Sequence, residues 1–166
     1  MNKKVTKAII AAAGRGTRFL PATKTIPKEM LPIVDKPNIQ YLVEECIEAG
    51  ITDIIIVIRA GHESIVSHFA KDLVLEDYLT RNGKEDRIEK ININGNVRIA
   101  FIYQDPRLPY GNGSPMLSAK NLVDDEPFIY MYGDDVVYPT KFGAKQLVEK
   151  FESSQCDGVI QVQQMP

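Results

Sequence analysis

The sequence lacks the features that mark several large classes of protein. Its longest apolar runs, such as Ile54–Ile58, are far shorter than a membrane-spanning helix requires. The formal net charge of −2 gives no broad basic field, so nucleic acid is not expected as a partner. We find neither an internal repeat nor a low-complexity tract. The sequence therefore predicts a soluble globular protein in which any anion-binding site must be built locally.

Cysteine and histidine are also scarce. The two cysteines, Cys46 and Cys156, lie far apart without the spacing of a metal site. Cys46 falls on an apolar helical stripe, which predicts a buried core residue. His62 and His68 have no partner in the sequence pattern, so we assign neither of them a catalytic role. This cysteine usage indicates a protein of the reducing cytoplasm.

What the sequence does have is a regular alternation of strand-like and helix-like segments over 166 residues, the length of a single domain. Strands are predicted at Ala8–Ala13, Ile54–Ile58, Val97–Tyr103, Pro127–Tyr132 and Gly158–Val162. Helices are predicted at Pro37–Ala49, at Ser64–Ala70, at Pro115–Leu122 with Ser114 as N-cap, and in a last segment that Thr140 caps and that turns Ala144, Leu147, Val148 and Phe151 inward. This order predicts an α/β fold with a doubly wound, mostly parallel sheet.

Two segments interrupt this alternation. The charge-rich stretch Lys71–Ile91 carries only a thin apolar stripe, so we interpret it as a helical excursion on the surface that could serve as a lid. The pair Asn94-Gly95 predicts a turn before the third strand. Neither segment indicates a linker to a second domain.

The stretch Ala11–Arg18 predicts an anion site. It follows an apolar strand and contains Gly14 and Gly16, whose missing side chains let backbone N–H groups approach a phosphate. It is not a P-loop, because no Gly-Lys-Ser/Thr follows. It is not a dinucleotide fingerprint either, because Phe19 stands where the third glycine should be. Taken alone, the two glycines fit a tight turn between strand and loop equally well.

Polar groups follow three of the predicted strands. These are the Gly14–Arg18 loop, Gln104, and the pair Asp134-Asp135. Ligands of doubly wound sheets bind at the carboxyl ends of the strands, so we expect these groups to converge. A carboxylate placed there suits Mg²⁺, although acidic residues are also common in turns. Because neighbouring strand residues point to opposite faces, only one of the two aspartates is expected to bind the metal.

A second motif decides between these interpretations. Gly-Arg-Gly-Thr-Arg at Gly14–Arg18 is followed by Pro-Lys-Glu-Met-Leu-Pro at Pro27–Pro32 and by Asp-Lys-Pro at Asp35–Pro37. This combination resembles the sugar-1-phosphate nucleotidyltransferases. The resemblance implies a Rossmann-like nucleotidyltransferase fold, with residues 1–166 forming a single nucleotide-binding domain. It also implies that the sugar-binding segment and a second metal-binding aspartate lie beyond Pro166, so we expect the N-terminal part of a longer enzyme.

The resemblance also implies roles for individual residues. Arg18 and Lys28 would be the catalytic cations that contact the phosphates. Asp134 would bind Mg²⁺, with Asp135 as the second choice, and Gln104 would read the base. Nucleotide-binding roles fall on Ala12, Ala13, Gly14, Gly16, Thr17, Glu29, Gln104 and Gly111. The implied reaction transfers the nucleotidyl group of UTP to glucose 1-phosphate, giving UDP-glucose and pyrophosphate, and the full-length protein would be a homo-oligomer.

One departure from the family leaves alternatives open. Gly111-Asn112-Gly113-Ser114-Pro115 stands where relatives carry Gly-Leu-Gly or Gly-Leu-Ala and then His or Gln, so the choice of base and sugar is not fixed. The first alternative is the same chemistry with dTTP. The second is a non-catalytic nucleotide-binding module, since the sugar-binding half is not found. The third is an NAD(P)-dependent oxidoreductase, in which Arg59 would hold a 2′-phosphate.

Overall fold

A computed structural model describes residues 4–93, 95–137 and 143–162. Its strands are β1 (Lys7–Ala12), β2 (Pro32–Ile33), β3 (Lys36–Pro37), β4 (Asp53–Ile58), β5 (Arg98–Tyr103) and β6 (Phe128–Tyr132). Its α-helices are α1 (Asn38–Glu48), α2 (Glu63–Phe69), α3 (Leu73–Arg81), α4 (Ile88–Ile91), α5 (Gly113–Val123) and α6 (Gly143–Ser153). Short 3₁₀ turns occur at Thr17–Phe19, Ala22–Lys24, Lys28–Met30 and Glu85–Arg87.

The main sheet is parallel throughout its four described strands, in the order β5-β4-β1-β6. The chain proceeds outward from β1 through β4 to β5 and then crosses to the other side of β1 to form β6. The order of strands therefore reverses between β1 and β6, and such a switch point opens a crevice at the carboxyl ends of the strands. The two-residue strands β2 and β3 form a separate antiparallel ribbon.

Helices cover both faces of the sheet, as the doubly wound prediction requires. On one face Ile10 and Ile56 pack into a core with residues of α1, α2 and α6. On the other face Ile9 and Ile55 pack against Ala119 and Val123 of α5. The continuous run of β4 is buried because both of its faces are covered. The predicted fold class is confirmed.

The predicted elements agree with the structure to within a few residues at most ends. Helix α1 ends at Glu48, and Gly50 follows with φ +83°, a conformation that a glycine after a helix end adopts at little cost. Cys46 is fully buried within α1, as predicted. Ala144 and Val148 of α6 are buried, and Leu147 and Phe151 are partly buried against the same core. No α-helix in the described residues is long and apolar enough to cross a membrane.

The predicted strand Gly158–Val162 is wrong. The segment is not in a strand, and the side chains of Ile160 and Val162 are mostly exposed. A cavity of about 610 Å³ lies between β6 and this segment, with residues of both among its lining. A β-strand exists only through hydrogen bonds to a neighbouring strand. Here the segment faces β6 across the cavity, so its β-branched residues do not suffice.

Three further predictions need comment. Ser114 is not the N-cap of α5, because that helix already begins at Gly113 and the Ser114 hydroxyl donates to the carbonyl oxygen of Pro109. The excursion Lys71–Ile91 is helical, as α3 and α4 show, but none of its residues lines the site cavity described below, so it forms no lid in this structure. The predicted cap Thr140 and the turn residue Asn94 lie outside the described residues.

Candidate active site

A cavity of about 470 Å³ opens at the carboxyl ends of the main strands. It lies at the switch point between β1 and β6, where the fold itself predicts a ligand. Among the predicted site residues, those that line it are Ala13, Gly14, Gly16, Thr17, Arg18, Lys28, Gln104, Gly111 and Asp134. Ala12 and Glu29 are fully buried and are not among the lining residues. The structure thus brings Arg18, Lys28 and Asp134 to one cavity, while their roles stay predictions.

The glycine loop after β1 is held open by local contacts. Gly16 has φ +61°, a left-handed conformation that a residue with a side chain adopts only at a cost. A Cβ atom on Gly16 would also lie 3.0 Å from the Cβ atom of Thr23. The Thr23 hydroxyl donates to the Gly16 carbonyl oxygen at 2.7 Å and fixes the loop from behind. Gly16 is therefore required by backbone conformation and by space.

Lys28 packs directly against this loop. A Cβ atom on Gly14 would lie 3.1 Å from Lys28 Cε and 3.3 Å from Lys28 Nζ, so the bare backbone at Gly14 makes room for the lysine. The ammonium group then reaches Asp134 at the end of β6, with 2.6 Å between Nζ and Oδ2. The lysine side chain is largely buried, whereas Asp134 is partly open to solvent. The glycine loop, the lysine and the aspartate are thereby joined into one wall.

Glu29 lies beneath this wall and is fully buried. Neither of its carboxylate oxygens has a hydrogen-bond partner among the described residues. The Oε1 atom is 4.0 Å from Lys28 Nζ, which is the outer limit of an ion pair. Burial raises the pKa of Glu29 to about 7, and the nearby positive charge of Lys28 opposes that rise only in part. Glu29 therefore lies close to the ammonium group of Lys28 and does not line the cavity.

Gly133 allows the end of β6 to approach β1 and Glu29. A Cβ atom there would lie 2.8 Å from the Ala11 carbonyl oxygen and 2.9 Å from Glu29 Cγ. The Gly133 N–H donates to that same Ala11 oxygen at 2.8 Å, and Asn38 Nδ2 donates to the Gly133 oxygen at 3.1 Å. Hydrogen bonds therefore hold the backbone of Gly133 on both its N–H and its carbonyl side, and this fixes the backbone position from which the Asp134 side chain extends.

The two neighbouring aspartates face different cavities. Asp134 lines the 470 Å³ cavity with the glycine loop, whereas Asp135 lines the 610 Å³ cavity on the other side of β6. This separation favours Asp134 over Asp135 as the metal-binding residue. No group of three or more acidic, histidine or cysteine side chains that could hold a metal occurs in the described ranges. A single carboxylate nevertheless fits Mg²⁺ where substrate phosphates and water supply the remaining oxygens.

The charge of the cavity wall is strongly positive. Its cationic residues are Arg15, Arg18, Lys28 and Arg59, and its one acidic residue among the described lining is Asp134. The protein as a whole carries a formal net charge of −2, so this concentration of positive charge is local. Such a wall attracts a multiply charged anion.

Gln104, Gly111 and Asn112 line the far end of the cavity. The backbone N–H of Gln104 donates to the Ile58 carbonyl oxygen at 2.8 Å, which continues the pairing of β5 with β4. The Tyr130 hydroxyl donates to the Asn112 carbonyl oxygen at 2.7 Å and ties Asn112 to β6. The backbone of Gln104 is thus fixed at a strand end, and the residue lines the cavity, while its role in reading the base stays a prediction.

Sequence reasoning missed His62. This residue is buried, and its Nδ1 atom lies 2.7 Å from the carbonyl oxygen of Ala12, the last residue of β1. A carbonyl oxygen only accepts, so Nδ1 must carry the proton and donate it. Burial lowers the pKa of His62 and keeps the ring neutral. The contact spans 50 positions of sequence, and no local pattern signals it.

Comparisons with known proteins show which family the chain belongs to. The model of the nucleotidyl transferase family matches residues 7–166. A UTP–glucose-1-phosphate uridylyltransferase of Bacillus subtilis is 48% identical over 99% of this chain and 56% of its own length. One of Mycoplasma pneumoniae is 42% identical over 98% of this chain and 55% of its own length.

Solved structures give the same result. The structure described as UTP-bound UGPase from Acinetobacter baumannii matches with a TM-score of 0.81 at 36% identity. That match covers 91% of this chain and 54% of the solved chain. The present chain therefore spans about half the length of the relatives it matches.

Proposed function

The chain belongs to the nucleotidyl transferase family, and on that premise we propose that it is the nucleotide-binding part of a UTP–glucose-1-phosphate uridylyltransferase. The reaction would transfer the nucleotidyl group of UTP to glucose 1-phosphate and release pyrophosphate. The observation that carries the proposal is the shared cavity of the glycine loop, Lys28 and Asp134. The names of the similar relatives supply the substrates.

The chemistry requires no protein nucleophile. An oxygen of the sugar phosphate attacks the α-phosphorus of UTP and forms a new phosphorus–oxygen bond. The bond from the α-phosphorus to the oxygen that bridges the α- and β-phosphates breaks in line, and pyrophosphate leaves with the electron pair. Because the attacking oxygen is already anionic, no proton has to be removed. The protein contributes position and neutralisation of charge.

The residues of the cavity suit these two tasks. Backbone N–H groups of the loop at Gly14–Gly16 would bind phosphate oxygens, and Arg18 would hold the pyrophosphate that leaves. Lys28 would neutralise the negative oxygens of the two reacting groups, the sugar phosphate and the α-phosphate of UTP. The packing of Lys28 against Gly14 supports this role, because it holds the ammonium group in one position.

We propose that Mg²⁺ is bound by Asp134. When bound, Mg²⁺ would offset the negative charge of the triphosphate. Lys28 Nζ occupies only the Oδ2 side of this carboxylate, which leaves Oδ1 as a second oxygen for a cation. Asp134 would thus hold Lys28 and the metal together at the edge of one cavity.

We propose UTP rather than dTTP as the nucleotide on the names of the similar relatives. The sequence departs from the family at Gly111–Pro115, so the affinities for UTP and dTTP are to be compared directly. The second candidate is a non-catalytic nucleotide-binding module, in which the cavity binds UTP without turnover.

The test joins two measurements. Calorimetry with UTP, dTTP and NADP, each with and without Mg²⁺, identifies the nucleotide that the purified chain binds, and chromatography of a reaction of the longer protein with UTP and glucose 1-phosphate detects UDP-glucose. We expect UTP to bind this chain most tightly and UDP-glucose to form with Mg²⁺ in the longer protein. Binding of UTP without any product from the longer protein supports the non-catalytic module, and absence of UTP binding contradicts the proposal.

Two broader expectations accompany this function. We propose a cytoplasmic location, which the free thiol of the buried Cys46 supports, since disulfides are rare in that compartment. Homo-oligomerisation of the longer protein stays a prediction, and sedimentation of that protein tests it.

A further inference from the structure

Arg59 is a cation of the cavity wall to which the proposed function gives no role. It follows the last residue of β4 and lines the cavity together with the glycine loop. Sequence reasoning considered it only as a holder of a 2′-phosphate. Arg59 lies next to the glycine loop, because the residues that precede them, Ile58 and Ala12, are direct partners in the pairing of β4 with β1.

The donors of Arg59 are largely unused. An arginine side chain has five N–H donors, and within the described residues one of them is engaged, from Nη1 to the Ala60 carbonyl oxygen at 3.1 Å. The Nε atom is buried and has no hydrogen-bond partner in the described residues. By contrast, Arg98 and Arg107 are each paired with an aspartate. A guanidinium that is held in a cavity with unused donors fits a missing anionic ligand.

A tight turn fixes where Arg59 begins. The N–H of His62 donates to the Arg59 carbonyl oxygen at 3.1 Å, and Gly61 has φ +88°, as the third residue of a type II turn requires. The sequence Arg-Ala-Gly-His thus encodes a turn that leaves Arg59 on the cavity wall and sends His62 to the carbonyl of Ala12. Arg59 and the glycine loop are fixed relative to one another by this contact.

The order of the strands shows which part of a nucleotide lies above Arg59. Along the carboxyl edge, the order β5-β4-β1-β6 gives Gln104, Arg59, the glycine loop and Asp134, with neighbouring strands about 4.8 Å apart. A nucleotide with its base at Gln104 and its outer phosphates between the loop and Asp134 must cross the end of β4. The group that crosses there is the ribose with the phosphate attached to it.

We propose that Arg59 binds the phosphate group attached directly to the nucleoside, an inference that rests on the proposed function. The planar guanidinium offers two parallel N–H donors to two oxygens of one phosphate. This phosphate is present in a nucleoside monophosphate, a diphosphate and a triphosphate alike. Arg59 therefore contributes binding energy to all three and contributes none to the free nucleoside.

The experiment compares uridine, UMP, UDP and UTP as ligands of the 166-residue chain, by NMR-detected titration, for the wild type and Arg59→Met. We expect the variant to bind UMP, UDP and UTP each more weakly, by about 10- to 100-fold, and uridine equally well. Arg59→Lys keeps the charge and loses the fork, so it should fall between the two. Arg81→Met, on α3 outside the cavity lining, is the matched control and should change nothing.

The stability of the variant separates ligand binding from a structural role. Because the Nε atom is buried without a partner, Arg59→Met should melt no lower than the wild type in the absence of nucleotide. A large fall in melting temperature for both Arg59→Met and Arg59→Lys would assign the residue to the fold and overturn the inference.

The remaining outcomes are equally decisive. Unchanged affinity of Arg59→Met for UMP and UTP, with a wild type that binds both, overturns the inference and leaves the proposed function in place. A loss confined to UTP moves Arg59 to the outer phosphates and also overturns it. A wild type that binds none of these nucleotides contradicts the proposed function, and the inference falls with it.

Discussion

Lys28 Nζ lies 2.6 Å from Asp134 Oδ2, although the two residues are separated by 106 positions in the sequence. The contact exists because the 3₁₀ turn after the glycine loop and the end of β6 meet at the switch point of the sheet. Exposed ion pairs contribute little to stability. The lysine is largely buried here, and it lines a cavity whose other charged residues, apart from Asp134, are arginines. We therefore interpret the pair as part of a binding site.

The first prediction concerns Lys28. In the longer protein that includes the sugar-binding segment, Lys28→Met should lower the rate of UDP-glucose formation by on the order of 10²- to 10³-fold, because one fixed donor to the developing charge is lost. UTP affinity should fall as well. Lys36→Met is the matched control, since Lys36 is paired with Glu44 at the same distance of 2.6 Å and does not line the cavity. A rate for Lys28→Met equal to that of Lys36→Met would remove the lysine from the mechanism.

The second prediction concerns the space at Gly133. Gly133→Ala should lower the free energy of unfolding by roughly 1–3 kcal/mol, because the new methyl group meets the Ala11 oxygen and Glu29 Cγ at less than van der Waals distance. Gly158→Ala is the control, because no atom lies within 4 Å of its added Cβ atom. Urea denaturation measures both, and equal stability of the two variants would show that β6 has room at this end.

The third prediction follows from the buried carboxyl of Glu29. Its pKa is raised from 4.5 to about 7, so the folded state binds this proton more tightly than the unfolded state does. The wild type is therefore most stable, relative to Glu29→Gln, below about pH 4.5, and it loses that advantage as the pH rises toward 7. The total change should be up to about 3 kcal/mol.

Urea denaturation of both proteins between pH 5 and pH 8, without Mg²⁺, measures this difference. Glu85→Gln serves as the control at an exposed position, and its stability should follow the wild type at every pH. A difference between Glu29→Gln and the wild type that stays constant with pH would mean that Glu29 keeps its charge throughout.

The fourth prediction concerns His62. His62→Phe preserves a ring and removes the donor to the Ala12 carbonyl oxygen, so the end of β1 should lose its anchor and UTP should bind more weakly. His68→Phe is the control, because His68 contacts the side chain of Gln40 and does not reach the glycine loop. Fluorescence titration with a labelled UTP compares the two. Weaker binding in both variants alike would indicate a general loss of stability instead.

Much of the fold follows from local sequence. The β-branched run Ile54–Ile58 requires cover on both faces, and the strand–glycine–helix order fixes a parallel sheet with a site at its carboxyl edge. The strand prediction at Gly158–Val162 is wrong because composition alone favours a strand there, whereas a cavity separates the segment from β6. Strand formation depends on a partner, and composition cannot supply one.

The site is less fully encoded in local patterns. The glycine loop and Lys28 are visible as motifs because neighbouring residues form them. The contact of His62 with Ala12, the clamp around Gly133 and the unused donors of Arg59 arise only when strands distant in sequence come together. Burial of Glu29 is likewise a tertiary effect, because its neighbours in the sequence do not distinguish it from an exposed glutamate.

The most direct test of the account is the effect of Mg²⁺ on UTP affinity, measured by calorimetry for the wild type and Asp134→Asn. Asp134 repels the triphosphate when no cation is present and attracts it through Mg²⁺. We predict that Mg²⁺ strengthens UTP binding in the wild type. The variant should bind metal-free UTP at least as tightly as the wild type and gain little from Mg²⁺. An equal gain from Mg²⁺ in both proteins would contradict a triphosphate and metal site built on Asp134.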